Sequence, residues 1–181
     1  MNRQIPWLTL AVFAATSVIT AAMAVWPEIG PALQREPAML GGDYWRFVTA
    51  WFVMVDGWVQ ILGNSIALLL FGSLVERRIG RLWWVIGYVV SGLAGELAGL
   101  FWQPIGGGNS VCICGLIALF ATSHLDRAGL PLIARLAPLL ACSLGGAWLM
   151  LRSDIHGAAL VAGLAVAKAE AALHRPFRSQ T

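Results

Sequence analysis

An all-α membrane protein of six spanning helices is the fold class this sequence predicts, and three observations carry the prediction. The chain is 59% hydrophobic and only 12% charged, against roughly 25% charged residues in a soluble domain. Its apolar residues gather into six runs, most of them close to the ~20 residues a helix needs to cross a bilayer. Several of the nine tryptophans lie near the ends of those runs, where an amphipathic ring sits well at the membrane surface.

The first run covers about residues 5–26. Arg3 before it and Ala22-Met23-Ala24 near its end resemble a cleaved signal, but its apolar stretch exceeds the ~7–15 residues of a signal core, so a retained helix is expected. The second and third runs cover about 57–75 and 82–102. The fourth, about 110–125, is the short one: ~16 residues rise about 24 Å against a hydrocarbon core of roughly 30 Å. If it ends at the usual level on one side, Gly106-Gly107-Gly108 at its other end become non-helical backbone at membrane depth. Such backbone is tolerated only where it is buried in protein or faces a water-filled cavity. The fifth and sixth runs cover about 131–150 and 155–173, leaving 174–181 as a short tail, and residues 1–181 read as a single membrane domain.

The basic residues orient the helices. With the N-terminus inside, the cytoplasmic side receives Arg3, Arg77, Arg78, Arg81, Arg127, Arg135, Lys168, Arg175 and Arg178, and the outside receives Arg35, Arg46 and Arg152. That bias places both ends in the cytoplasm. The starts of the second, fourth and sixth helices then lie toward the outer face, which brings Asn64, Ser110 and His156 to one level. The net charge of +3 is small and scattered, so these cations read as topology signals and not as a nucleic-acid surface. Cys112, Cys114 and Cys142 all fall in apolar runs and read as buried small residues. No metal or organic cofactor is implied.

Polar residues inside a bilayer are costly unless satisfied, and they mark function or packing. Gln60 and Asn64 are four apart on the second helix and share a face. Ser110 opens the fourth helix. Asp154 and His156 open the sixth, followed by a ridge of small residues at Ala159, Gly163 and Ala167 that permits close helix approach. His156 lies on the face of that ridge. If the ridge packs on the fourth helix, where Gly115 eases the contact, Ser110 and His156 become neighbours. A serine beside a histidine is the minimal nucleophile and base. The Ser110 N–H at a helix N-terminus, the Asn64 amide and the Gln60 amide are candidate donors to an oxyanion. Each residue also has a plainer reading: the serine as a helix cap, the histidine as an interhelical hydrogen bond, and the two amides as helix glue.

Taken in order, the motifs resemble the rhomboid intramembrane serine proteases, over about Gly42 to Ala167. Tyr44-Trp45-Arg46-Phe47-Val48-Thr49 is similar to the Trp-Arg segment of that family's first outer loop, a partly membrane-embedded element. Gln60 and Asn64 sit where rhomboids carry a His-x-x-x-Asn pair. Phe71-Gly72 through Glu76-Arg77-Arg78-Ile79-Gly80 is similar to the end of their second helix, and Tyr88 and Ser91-Gly92 follow on the third. Gly108-Asn109-Ser110 resembles the Gly-x-Ser of the active site, and His156 through Gly163 resembles the His-x-x-Gly-x-x-x-Gly start of the last helix.

The resemblance implies a six-helix rhomboid-like bundle whose Ser110–His156 dyad, without a required carboxylate, cuts membrane-anchored proteins in or near a transmembrane segment. Asn64 and the Ser110 backbone would serve the oxyanion, Trp45, Arg46 and Glu76 would anchor loop and helix ends, and substrate would arrive laterally past the second and fifth helices. A bacterial inner membrane, with the active site opening outward, fits the bare six-helix plan. Four departures bear on rate and specificity. Val111 stands where the family has a second glycine after the serine and is expected to crowd the oxyanion pocket or the substrate path. Gln60 replaces a histidine, Cys114 replaces an aromatic residue that packs beside the catalytic histidine, and Ala159 replaces a ridge glycine. Asp154 is expected to be a solvated loop charge or a helix-start carboxylate, not a third catalytic member. Glu96 is expected to turn inward and to be hydrogen-bonded or protonated. The alternative is a rhomboid-like pseudoprotease that binds membrane helices without cutting them, for which Val111 is the argument. A transporter or channel component is disfavoured, because the paired inward charges and matched broken helices of an inverted repeat are missing.

Overall fold

The computed structural model describes residues 5–123, Leu125 and residues 129–178, with side chains through Leu173. Arg3 and Arg127, assigned above to the cytoplasmic side, lie outside the described residues. Helices α1 (Trp7–Val25), α2 (Gly57–Arg78), α3 (Arg81–Trp102), α4 (Ser110–Ser123), α5 (Leu132–Leu151) and α6 (Ile155–Arg178) account for most of the chain. Five of them are long and apolar enough to cross a membrane, and α4 is the short apolar one. At 1.5 Å per residue its fourteen residues rise about 21 Å. The last helix runs to Arg178, beyond the end its apolar pattern suggests.

The layers follow from side-chain size. α3, α4 and α6 meet along glycines and form the centre. A Cβ on Gly115 of α4 would run into the Gly87 carbonyl of α3, and one on Gly163 of α6 would lie 2.8 Å from the Gly115 Cα. Backbones this close gain dispersion contacts that larger residues would prevent. Nearly every side chain of α4 from Val111 to Ala121 is buried. α1, α2 and α5 pack around this centre and bury 11–17% of their apolar windows, against 44% for α3 and α6, so they offer their leucine, valine and tryptophan faces to lipid.

One acidic and one basic side chain tie helix ends and loop together. The first N–H groups of a helix have no partner within it, and Pro6 offers no side-chain cap. Glu76 at the end of α2 takes that role for α1, accepting from Leu8 N at 3.1 Å, Thr9 N at 3.0 Å and Thr9 Oγ1 at 3.0 Å, with Arg81 Nε 3.4 Å away. A π turn over Leu68–Gly72 re-aims α2 just before this point. The first outer loop is built of short helical turns, and Met39, Ala50, Trp51, Val53 and Met54 are buried, so the loop is set into the bundle. Arg46 staples it: its guanidinium donates to Pro31 O at 2.7 Å and Gln34 O at 3.0 Å and pairs with Glu36 and Asp43. Trp45, the residue before it, is half exposed.

Candidate active site

Ser110 is the first residue of α4, so its N–H has no intrahelical acceptor. The glycines ahead of it are straps held by the outer loop. Arg35 and Gly106 exchange backbone hydrogen bonds of 2.8 and 3.2 Å, Gly108 N–H donates to Ala50 O at 2.7 Å, and Gln60 Nε2 donates to Gly107 O at 2.7 Å. A side chain at Gly107 would meet Val53 at 2.6 Å, and Gly108 has φ +126° with Gln60 Nε2 2.5 Å from a would-be Cβ. Only glycine fits this track. In the non-helical stretch before α4, Gly108 and Asn109 are buried, and Gly106 and Gly107 are half-buried at the wall of a cavity.

His156 enters from the other side, one residue into α6. A tight connection after α5, with Ser153 at φ 54°, delivers Asp154 to the helix start, where its own N–H donates to Leu149 O at 2.9 Å. The close contact of Gly163 with Gly115 then draws α6 onto α4. The result is a distance of 2.8 Å between Ser110 Oγ and His156 Nε2. The pair lines a cavity of about 300 Å³ together with Arg35, Asp56, Gln60 and Gln103. Two larger clefts, about 430 Å³ between α1 and α2 and about 390 Å³ among α4, α5 and α6, hold no such pair.

The other predicted residues divide. Asn64 flanks Gly108 with its amide nitrogen and makes a weak contact of 3.4 Å to Met54 Sδ. Gln60, expected to aim at an oxyanion, is engaged elsewhere: its Nε2 donates to Asp56 Oδ2 at 3.1 Å and to Gly107 O, and its Oε1 accepts from Asp56 N at 3.0 Å. An amide nitrogen carries two hydrogens, and both are used holding the loop. Val111, expected to crowd the pocket, is 1% exposed and faces Gly95 on α3, away from the cavity-lining residues. The cause is the helical turn of about 100° per residue, which carries the side chain after Ser110 toward the helix behind it.

Asp154 takes the second of its two expected places. It is a helix-start carboxylate, accepting from His156 N at 2.9 Å, and its Oδ1 also lies 2.6 Å from His156 Nδ1. Partial burial raises its carboxyl, but the bonds from the His156 backbone and ring and the ring's charge outweigh that and hold it below the ordinary carboxylate value. The Asp-x-His spacing at a helix start was the available signal. Glu96 is likewise paired, with Arg35 Nη1 at 2.8 Å. An acid inside a membrane helix with few cations at its end of the bundle pointed to one of them. The three cysteines are free and buried, and among the described residues no group of three or more His, Cys, Asp or Glu side chains could hold a metal.

The rhomboid domain model matches residues 41–175, a span that contains both Ser110 and His156. The chain belongs to the rhomboid family. It is an integral membrane protein of a family of intramembrane serine proteases that act on membrane-protein substrates. Over 89 residues it is 28% identical to "Putative rhomboid protease YdcA" of Bacillus subtilis (strain 168), a match covering 48% of this chain and 44% of that relative. The compared stretch thus spans less than half the length of the curated relative.

Proposed function

We propose that this rhomboid is an active intramembrane serine endopeptidase with Ser110 as nucleophile and His156 as general base. The single observation that carries the reading is the 2.8 Å separation of Ser110 Oγ and His156 Nε2, within the reach proton transfer needs. His156 Nε2 takes the hydroxyl proton as Oγ bonds to the scissile carbonyl carbon. The negative charge that develops on the carbonyl oxygen meets the Ser110 N–H at the positive end of α4 and the Asn64 amide; loss of one such donor typically costs about 2.7–4 kcal/mol of barrier stabilisation. The C–N bond then breaks, and His156 returns the proton to the leaving amine. Water from the outer side repeats the sequence on the acyl ester, releasing the second product and restoring Ser110. The weakly packed α2 and α5 support lateral arrival of a membrane-anchored substrate between them. A bacterial inner membrane with both ends in the cytoplasm accords with the charge bias.

The test is cleavage of a single-span substrate in proteoliposomes by wild type, Ser110→Ala and His156→Ala. Both variants should be inactive, and equal cleavage by all three would sink the assignment. The pseudoprotease alternative rests on Val111, whose side chain faces Gly95. Labelling by a serine-reactive fluorophosphonate, lost in Ser110→Ala, separates the two.

A further inference from the structure

Asp154 does more than cap α6. A carboxylate offers only acceptor sites, so its 2.6 Å contact with His156 Nδ1 requires the proton on that nitrogen. A neutral imidazole carries a single ring proton, which leaves Nε2 with a bare lone pair. Nε2 is the nitrogen 2.8 Å from Ser110 Oγ. The opposite tautomer would set a lone pair against the carboxylate and an N–H against the hydroxyl oxygen, and could not take the serine proton. Once the ring has taken it, the imidazolium faces a carboxylate already in contact.

We propose that Asp154 is a positioning residue that selects the tautomer and orientation of His156, making a Ser110–His156–Asp154 triad. The inference rests on the reading of Ser110 and His156 as nucleophile and base. Two local features favour it. Asp154 is fixed at the backbone by its bond to Leu149 O, and its Oδ1 is fixed a second time by the His156 N–H, so the carboxylate is set before any substrate arrives. The other charged groups of the cavity are engaged elsewhere, Arg35 with Glu96 and Asp56 with Gln60, leaving Asp154 as the carboxylate on the ring.

Asp154→Ser and Asp154→Asn test the proposal, because both residues still cap a helix while neither puts a carboxylate on Nδ1. The full chain is measured in proteoliposomes for kcat and KM against pH, with thermal unfolding alongside. The same Asp-to-Asn change in a buried triad lowers kcat by about 10⁴. With His156 and Asp154 side chains 35% and 30% exposed, a smaller fall of roughly 10–10² is expected. KM should hold, the unfolding temperature at neutral pH should fall only slightly, and the acid limb of the kcat profile should move. Wild-type kcat and pH profile in Asp154→Ser, or a loss confined to KM, overturns the proposal. A second readout is independent of turnover: ¹⁵N shifts of the His156 ring, assigned by their disappearance in His156→Ala. They should report the Nδ1–H tautomer in wild type and its loss in Asp154→Ser; an Nε2–H ring in wild type overturns the proposal. A wild type that Ser110-directed probes do not label would overturn the protease reading, and the ring shifts would still decide the role of Asp154.

Discussion

Val111 and Gly95 fit as knob and notch. A Cβ on Gly95 would stand 2.6 Å from Val111 Cγ1, and Val111 is almost fully buried. The valine after Ser110 is matched by a glycine on α3, so the extra bulk is taken up between helices and not in the cavity. Val111→Gly should therefore leave a void and place a poor helix former in α4, lowering stability by about 2–4 kcal/mol with no gain in cleavage rate. Thermal unfolding and a substrate assay on the same preparation check this. Faster cleavage by the glycine variant would show that the valine obstructs the site.

Gly163 sets how close His156 comes to Ser110. Its would-be Cβ lies 2.8 Å from Gly115 Cα and 3.0 Å from the Ala118 Cβ. Gly163→Ala should push α6 off α4, with overpacking of about 1–3 kcal/mol set against about 1 kcal/mol gained in helix propensity. Stability should change little, whereas a displacement near 1 Å at the dyad lowers turnover by roughly 10². An alanine variant with unchanged kcat would contradict this coupling.

The Arg35–Glu96 pair is buried on both sides, 2% and 0% exposed, and Arg35 also donates to Gln103 O at 2.9 Å. Arg35→Ala should cost about 3–5 kcal/mol, because the Glu96 carboxylate loses its counter-charge. Joining Arg35→Met to Glu96→Leu should recover most of that loss, as apolar replacement of a buried pair is often neutral. Unfolding curves of the three proteins decide it, and an Arg35→Ala variant as stable as wild type would show that the pair contributes nothing.

The carboxyl of Asp154 is held below its ordinary value, so its contribution to stability has a defined direction. It is fully present above the unfolded aspartate value of about 3.9 and is lost as pH falls through the lower folded value. Asp154→Asn should flatten the acid limb of the stability profile by lowering stability at neutral pH toward its acid value, a loss kept small because asparagine still caps the helix. Unfolding temperature against pH from 2 to about 7 measures this, and parallel profiles for the two proteins would refute it.

The family features were readable because each depends on local pattern. Apolar length marks the spans, Gly-x-Ser and His-x-x-x-x-x-x-Gly mark the ends of α4 and α6, and Glu96 announced a partner by being an acid in an apolar run. Directions of side chains were less readable. Gln60 looked like an oxyanion donor from its place one turn from Asn64, yet Asp56 and Gly107 take its hydrogens. Asp154 read as a solvated loop charge or a helix-start carboxylate; it is the second, and nothing in Arg152-Ser153-Asp154 says that the same oxygen also reaches the His156 ring.

By itself the sequence determined the class of molecule, the places and lengths of the apolar helices, and the two residues worth joining, since hydropathy and helical spacing act along the chain. Tertiary structure alone decided that Ser110 and His156 meet at 2.8 Å, that Val111 turns to Gly95, and that Arg35 reaches Glu96. These depend on how close two helices come and which way a side chain faces. That is settled by glycine contacts between segments far apart in the chain, where a single methyl group decides whether the backbones touch.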